Sequence, residues 1–115
     1  MGETKTPTLT PTASLSPTPP ASFYVSRNVY WPERDVPPVY IQVHLALPGP
    51  YTLKVYNSAG ELVRTLRNEW VAAVRDDKVE WNARNEADEP VSSGVYVIYF
   101  ISRYETRTAK LLILR

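Results

Sequence analysis

The sequence predicts an all-β sandwich, and three observations carry that prediction. Short runs rich in β-branched and aromatic residues recur about every 8–12 residues, with Gly, Pro or Asn clusters between them. No stretch repeats apolar residues at helical spacing over any length. Eight tyrosines and three tryptophans in 115 residues make the chain aromatic-rich, and aromatic side chains fit a pleated, half-buried surface. Strands with no helices among them have only another sheet to pack on, so a two-sheet fold with Greek-key connections follows.

The elements are justified in chain order. Residues 1–22 contain five prolines, six threonines and three serines, and Leu9 and Leu15 are the only large apolar side chains after Met1. Burial cannot offset the ordering entropy of such a segment, so it reads as an extended, polyproline-like linker or tail. Its hydroxyls are candidate O-glycan acceptors. Residues 23–115 remain for one domain, enough to build a core. Phe23 to Pro32 alternates loosely and ends on proline, as an edge strand does. Pro37-Pro38 marks a loop. Val39 to Leu47 alternates cleanly, with Val39, Ile41, Val43, Leu45 and Leu47 on one face. Pro48-Gly49-Pro50 reads as a turn, followed by a strand that points Tyr51, Leu53 and Val55 inward. Asn57-Ser58-Ala59-Gly60 is a tight turn in which Gly60 supplies a positive φ. Glu61 to Leu66 is a short strand. Asn68 to Lys78 is a turn of helix or a loop crossing between sheets, with Trp70 over a core edge.

Val79 to Phe100 organises the rest. Val79 to Trp81 is a short strand, Asn82 to Ser92 a polar connection, and Gly94 opens the most apolar run in the chain. Trp81 and Tyr96 are expected to anchor the sandwich, with Gly60 and Gly94 as structural positions beside them. Tyr104-Glu105-Thr106 is a hairpin turn, and Thr108 to Arg115 is the closing strand.

Composition excludes several functions. Thirteen basic and twelve acidic residues give a formal charge of +1, and the charges are interspersed, so neither a nucleic-acid stripe nor an acidic tail is present. Cysteine is absent, which removes disulfides and thiol chemistry. The longest apolar run, Val95 to Ile101, is seven residues, against about 20 for a spanning helix. Met1 to Lys5 leads into Thr and Pro, not the apolar core of a secretory signal.

Three segments together, YTLKVYNSAGELVRTL, VEWNARNEADEPVSSGVYVIYF and KLLIL, resemble one family of modules. It is the Ig-like domain of the flagellar hook-capping protein type, which is similar to the C-terminal sorting-type Ig-like modules of secreted bacterial proteins. The matching positions run through Val55, Tyr56, Asn57, Gly60 to Val63, Trp81, Asn82, Arg84, Asn85, Val91, Ser93 to Tyr96 and Lys110. The resemblance implies an Ig-like, fibronectin type III-like antiparallel β-sandwich of about seven strands behind an extended N-terminal tail. It implies a non-enzymatic, exported module with no cofactor. The chain departs from the family at two places. Asn82-Ala83 stands for the usual Asp-Gly, and Asp88 or Glu89, followed by Pro90, stands for a usual glycine. An altered loop geometry is expected there.

The candidate sites follow. His44 is the only histidine, on the outward face of its strand, without the partners that a metal site or a nucleophilic site needs. Asn82, Asn85, Glu86, Asp88 and Glu89 gather oxygen ligands of the kind calcium takes, but not at EF-hand spacing, so a polar loop without metal is the expectation. Trp31, Trp70, Trp81 and several tyrosines could stack on a polysaccharide if exposed in a row, although Trp81 is better explained as the core plug between sheets. With Tyr96, Ile98 and Phe100 inward, Val95, Val97, Tyr99 and Ile101 face out. The closing strand is apolar on both faces as well. Val97, Tyr99, Ile101, Leu111 and Ile113 are therefore the candidate interaction surface, because a solvent-facing antiparallel sheet should be polar. A covering loop, such as Asn68 to Lys78, satisfies the same physics.

The expected function is a non-catalytic structural or adhesive module of an extracellular or cell-surface bacterial protein. Its partners would be other protein modules or copies of itself, the tail adding a strand to a neighbour's sheet. A carbohydrate-binding accessory module of a secreted hydrolase and a hook-cap-like assembly scaffold are the alternatives.

Overall fold

The computed structural model describes residues 21–72 and 74–115, and these form two packed sheets. Eight strands are seen among the described residues. They are β1 (Ala21–Val25), β2 (Val29–Tyr30), β3 (Val39–Leu45), β4 (Gly49–Asn57), β5 (Leu62–Val71), β6 (Arg75–Trp81), β7 (Gly94–Ser102) and β8 (Thr106–Ile113). One sheet has the order β1-β3-β6, the other β2-β8-β7-β4-β5. Every pairing is antiparallel except β2 with β8, which is parallel. This is the Ig-like, fibronectin type III-like sandwich that the sequence predicts. Residues 1–20, and with them most of the Thr/Pro-rich linker, lie outside the described residues.

Alternation writes the core. Ile41, Val43, Leu45, Leu53, Val55, Ile98, Phe100, Leu111 and Ile113 turn inward and are buried. Trp81 is 1% exposed; its ring meets Tyr96 edge-on at 5.9 Å, and its Nε1 donates to the Arg84 carbonyl at 2.9 Å. Phe23 stacks on Phe100 across the sandwich at 5.6 Å, and Tyr51 tilts against the same ring at 6.0 Å. Filling the space with large rings lets a short chain close a core.

Four local expectations are corrected. The stretch expected as one edge strand, Phe23 to Pro32, is two. β1 joins the first sheet, the chain turns at Ser26 to Asn28, and β2 joins the second. The Ser26 hydroxyl accepts the Tyr40 amide at 3.0 Å, which fixes the switch. Gly49 and Pro50 belong to β4, so the bend lies at Ala46 to Pro48, and Leu47 is left exposed. β5 continues to Val71 instead of ending near Leu66, and β6 begins at Arg75, so Asn68 to Lys78 is mostly strand. The chain therefore passes from one sheet to the other between Val71 and Arg75. Trp70 does not cover a core edge; it is 59% exposed.

Candidate functional site

The outer face of the five-stranded sheet is built by register. Tyr96 pairs with Leu111 and Val95 with Leu112, so the residues that share a face are settled by the ladder. Leu111 and Ile113 are fully buried, which corrects their place in the expected surface. Their neighbour Leu112 faces outward in their stead. Val97, Tyr99 and Ile101 do face outward, opposite Tyr56, Lys54 and Thr52 of β4. β5 adds Leu62 opposite Tyr56 and Trp70 opposite Pro50. Val95 is 42%, Ile101 36% and Leu62 49% exposed. Tyr56 and Tyr99 meet edge-on at 5.0 Å. A hollow of about 400 Å³ lies beside them, bounded by Tyr56, Ser58, Gly60 and Val97 among others. The outward charges on β4, β5, β7 and β8 are Lys54 and Lys110, with no carboxylate on those strands' outward positions. Sequence reasoning missed Tyr56, Leu62 and Leu112. The clean alternation of β4 was the signal for Tyr56, since Tyr51, Leu53 and Val55 were already placed inward.

The loop after Trp81 repeats the turn after β4. In Asn57–Glu61 the Asn57 Oδ1 accepts the amides of Ala59 at 3.0 Å and Glu61 at 2.9 Å. In Asn85–Glu89 the Asn85 Oδ1 accepts those of Ala87 and Glu89, both at 2.9 Å. Each asparagine amide also donates backbone to backbone across its turn, Asn57 to Glu61 and Asn85 to Glu89. The fourth residue is left-handed in both, Gly60 at φ 82° and Asp88 at φ 62°. Aspartate tolerates that region because its short side chain bonds locally. Asp88 thus takes in the second turn the left-handed backbone that Gly60 takes in the first. Ala83, where the resembled family has glycine after its Trp-Asp, is likewise at φ 61°.

Several of the loop's oxygens are engaged within the chain. The Glu86 carboxylate accepts the Thr65 amide at 2.9 Å, and the Glu86 amide donates to Val63 at 3.1 Å. Together they occupy part of the free edge of β5, where an exposed ladder would otherwise invite another chain. Arg115 donates to the carbonyls of Ala83 and Val91 and pairs with Glu33, tying the last strand to the same loop. Among the described residues no group of three His, Cys, Asp or Glu side chains comes together to hold a metal.

The open side of the sandwich is closed by charge. Tyr51 donates its hydroxyl to Asp77; Arg75 reaches Asp77 at 3.1 Å and Glu69 at 3.2 Å; Arg67 lies 3.7 Å from Glu69. Burial works to raise the Asp77 carboxyl. The hydrogen bonds from Tyr51 and Arg75 and the charges of Arg75 and Arg67 outweigh it and hold the group below its ordinary value. Burial first, then the bond to Asp77, pushes the Tyr51 phenol up. Asp35 is held below its ordinary value by the Trp31 amide and by Arg27 and Arg34. Trp31 itself is half-buried, with the Arg34 guanidinium 4.4 Å above its ring, so it does not offer the free stacking platform the sequence allowed.

No family model and no curated protein matches the chain. A solved structure does, that of PorZ, described as an essential bacterial surface component of the type-IX secretion system of Porphyromonas gingivalis. The TM-score is 0.51 at 25% identity, over 81% of this chain and 11% of PorZ. The chain therefore spans about a tenth of the protein it matches. Of the two likenesses read from the sequence, this match lies loosely with Ig-like modules of secreted proteins, and not with the hook-capping type.

Proposed function

We propose that this domain is a non-catalytic docking module of an exported bacterial protein, placed at the cell surface or outside it. It binds another protein module, or a second copy of itself, through the outer face of β8, β7, β4 and β5. The observation that carries this reading is that face itself. On one sheet Val95, Ile101, Leu62 and Trp70 turn outward and are exposed, and Val97, Tyr99, Leu112 and Tyr56 turn outward beside them, half-buried. Contiguous exposed apolar surface of this kind marks interaction sites. The likeness to a surface component of a secretion system supports the location.

The test is the pair Val97→Lys and Tyr99→Lys. Binding of a hydrophobic dye should fall and solubility should rise, and any concentration-dependent association seen by light scattering should vanish. A monomer at high concentration whose dye binding and solubility are unmoved by both substitutions would end this reading.

A further inference from the structure

The outer face of the three-stranded sheet is built from different chemistry. The β1–β3 and β3–β6 registers align Ser22, His44 and Asp76 in one row and Tyr24, Gln42 and Lys78 in the next. Cross-strand neighbours on one face stand about 4.5–5.5 Å apart at Cβ, so these side chains form one patch. A shallow depression of about 260 Å³ is bordered by Ser22, Tyr24, Gln42, Val43, His44 and Asp76. His44 Nδ1 lies 2.6 Å from Asp76 Oδ1. A carboxylate only accepts, so Nδ1 is the donor, and Nε2 is left over for a second hydrogen bond. Asp76 remains 79% exposed and keeps oxygen lone pairs for a ligand. Gln42 brings both donors and an acceptor, and Ser22 a hydroxyl. Tyr24 is 55% exposed and presents a flat ring. Tyr40, on the same face, has the Lys78 ammonium 4.5 Å above its ring.

We infer that this patch binds a single neutral sugar ring of a polysaccharide. One face of a pyranose is a C–H surface that stacks on an aromatic ring, and its rim is a circle of hydroxyls that both donate and accept. Tyr24 supplies the ring. Gln42, the His44–Asp76 pair and Ser22 supply mixed donors and acceptors beside it, on strands whose backbones are fixed by ladder pairing. The Asp76 carboxylate and the Lys78 ammonium on the same face offset each other, so the patch favours neither an anionic nor a cationic sugar. The order Ser, His, Asp also invites a hydrolytic reading. However, no hydrogen bond joins Ser22 to His44, so the hydroxyl is not activated as a nucleophile's would be. The site is shallow beside the roughly 300–1,000 Å³ of enclosed ligand pockets, so the affinity expected is millimolar. It is independent of the apolar face on the other sheet.

The experiment is a titration of the isotope-labelled protein, followed by amide NMR. The probes are glucose, galactose, mannose, xylose and N-acetylglucosamine, then soluble neutral polysaccharides in affinity electrophoresis. Shifts should cluster at Ser22, Tyr24, Gln42, His44 and Asp76. Tyr24→Ala and Gln42→Ala should each weaken retardation about tenfold or more with circular dichroism unchanged, while Val97→Lys should leave it intact. No shift with any sugar at about 50 mM, shifts centred elsewhere, or retardation that survives Tyr24→Ala would overturn the site. Cleavage of an activated ester that is lost in His44→Ala would replace binding with catalysis.

Discussion

The two outward faces of this sandwich obey different rules. On β1, β3 and β6 the outward positions are Ser22, Tyr24, Tyr40, Gln42, His44, Asp76, Lys78 and Glu80. That is what water asks of an antiparallel sheet with one solvated side. On β7 and its neighbours the outward positions are Val95, Val97, Tyr99, Ile101, Leu112 and Tyr56, relieved only by lysines, threonines and a few other polar residues. Both sheets bury an alternating apolar row, on β3 in the first and on β4 and β7 in the second. The core therefore does not explain the difference. That difference is the physical basis for the proposals made above, a docking surface on the second face and a polar recognition surface on the first.

The largest expected effect separates inside from outside on a single strand. Phe100→Ala empties a fully buried ring site and should cost about 3–5 kcal/mol in urea denaturation. Tyr99→Ala, one residue away, loses the edge contact with Tyr56 and should cost about 1 kcal/mol or less. Equal costs would break the assignment of faces. The middle effect compares two adjacent aspartates. Asp77→Ala leaves Tyr51 and Arg75 without their shared acceptor and should cost about 1–3 kcal/mol. Asp76→Ala on the outer face should cost within about 0.5 kcal/mol.

Asp77 also carries a pH signature. The Asp77 carboxyl is lowered from 3.8 in the fold, so its stabilisation is complete above 3.8 and is lost as pH falls through the lower native value. Asp35 acts in the same direction. Tyr51 is the opposite case: its phenol is raised from 10.0, so its stabilisation is present below 10.0 and is lost as pH rises beyond it. Thermal melts across acid pH should show a smaller fall for Asp77→Asn than for the parent chain. The smallest effect sharpens the comparison of faces directly. Val97→Lys and Gln42→Lys should each change stability by about 0.5 kcal/mol or less, yet only the first should reduce hydrophobic dye binding.

Some elements were legible because they rest on local rules. The turn at Asn57 needs an asparagine that bonds its own backbone and a residue at positive φ, and both are written in four letters. Trp81 was legible because a large apolar ring in a polar stretch has few places to go. The closing strand was not. Leu111 to Leu114 is continuously apolar, so period two has no phase to read, and only pairing with β7 decides it. The likeness of the second turn to the first was not legible, because Asp88 stands where the first turn has Gly60, and only the backbone shows that aspartate holds the same left-handed conformation. β5 was read too short because its inward residues past Leu66 are Arg67 and Glu69, whose partners Arg75 and Asp77 come from the other sheet.

The sequence by itself determined the class of fold, the inward faces of β3, β4 and β7, and the absence of a helix long enough to cross a membrane. These follow from periodicity, turn chemistry and composition, which act over a few residues. Only the tertiary structure decided where the outward residues lie relative to one another. It moved Leu111 and Ile113 inside and brought Leu62 and Trp70 onto the apolar face. It also set Ser22, His44 and Asp76 in one row, although 54 positions separate the first from the last. Register between strands far apart in the chain is fixed by the whole core closing at once, and no local pattern carries that information.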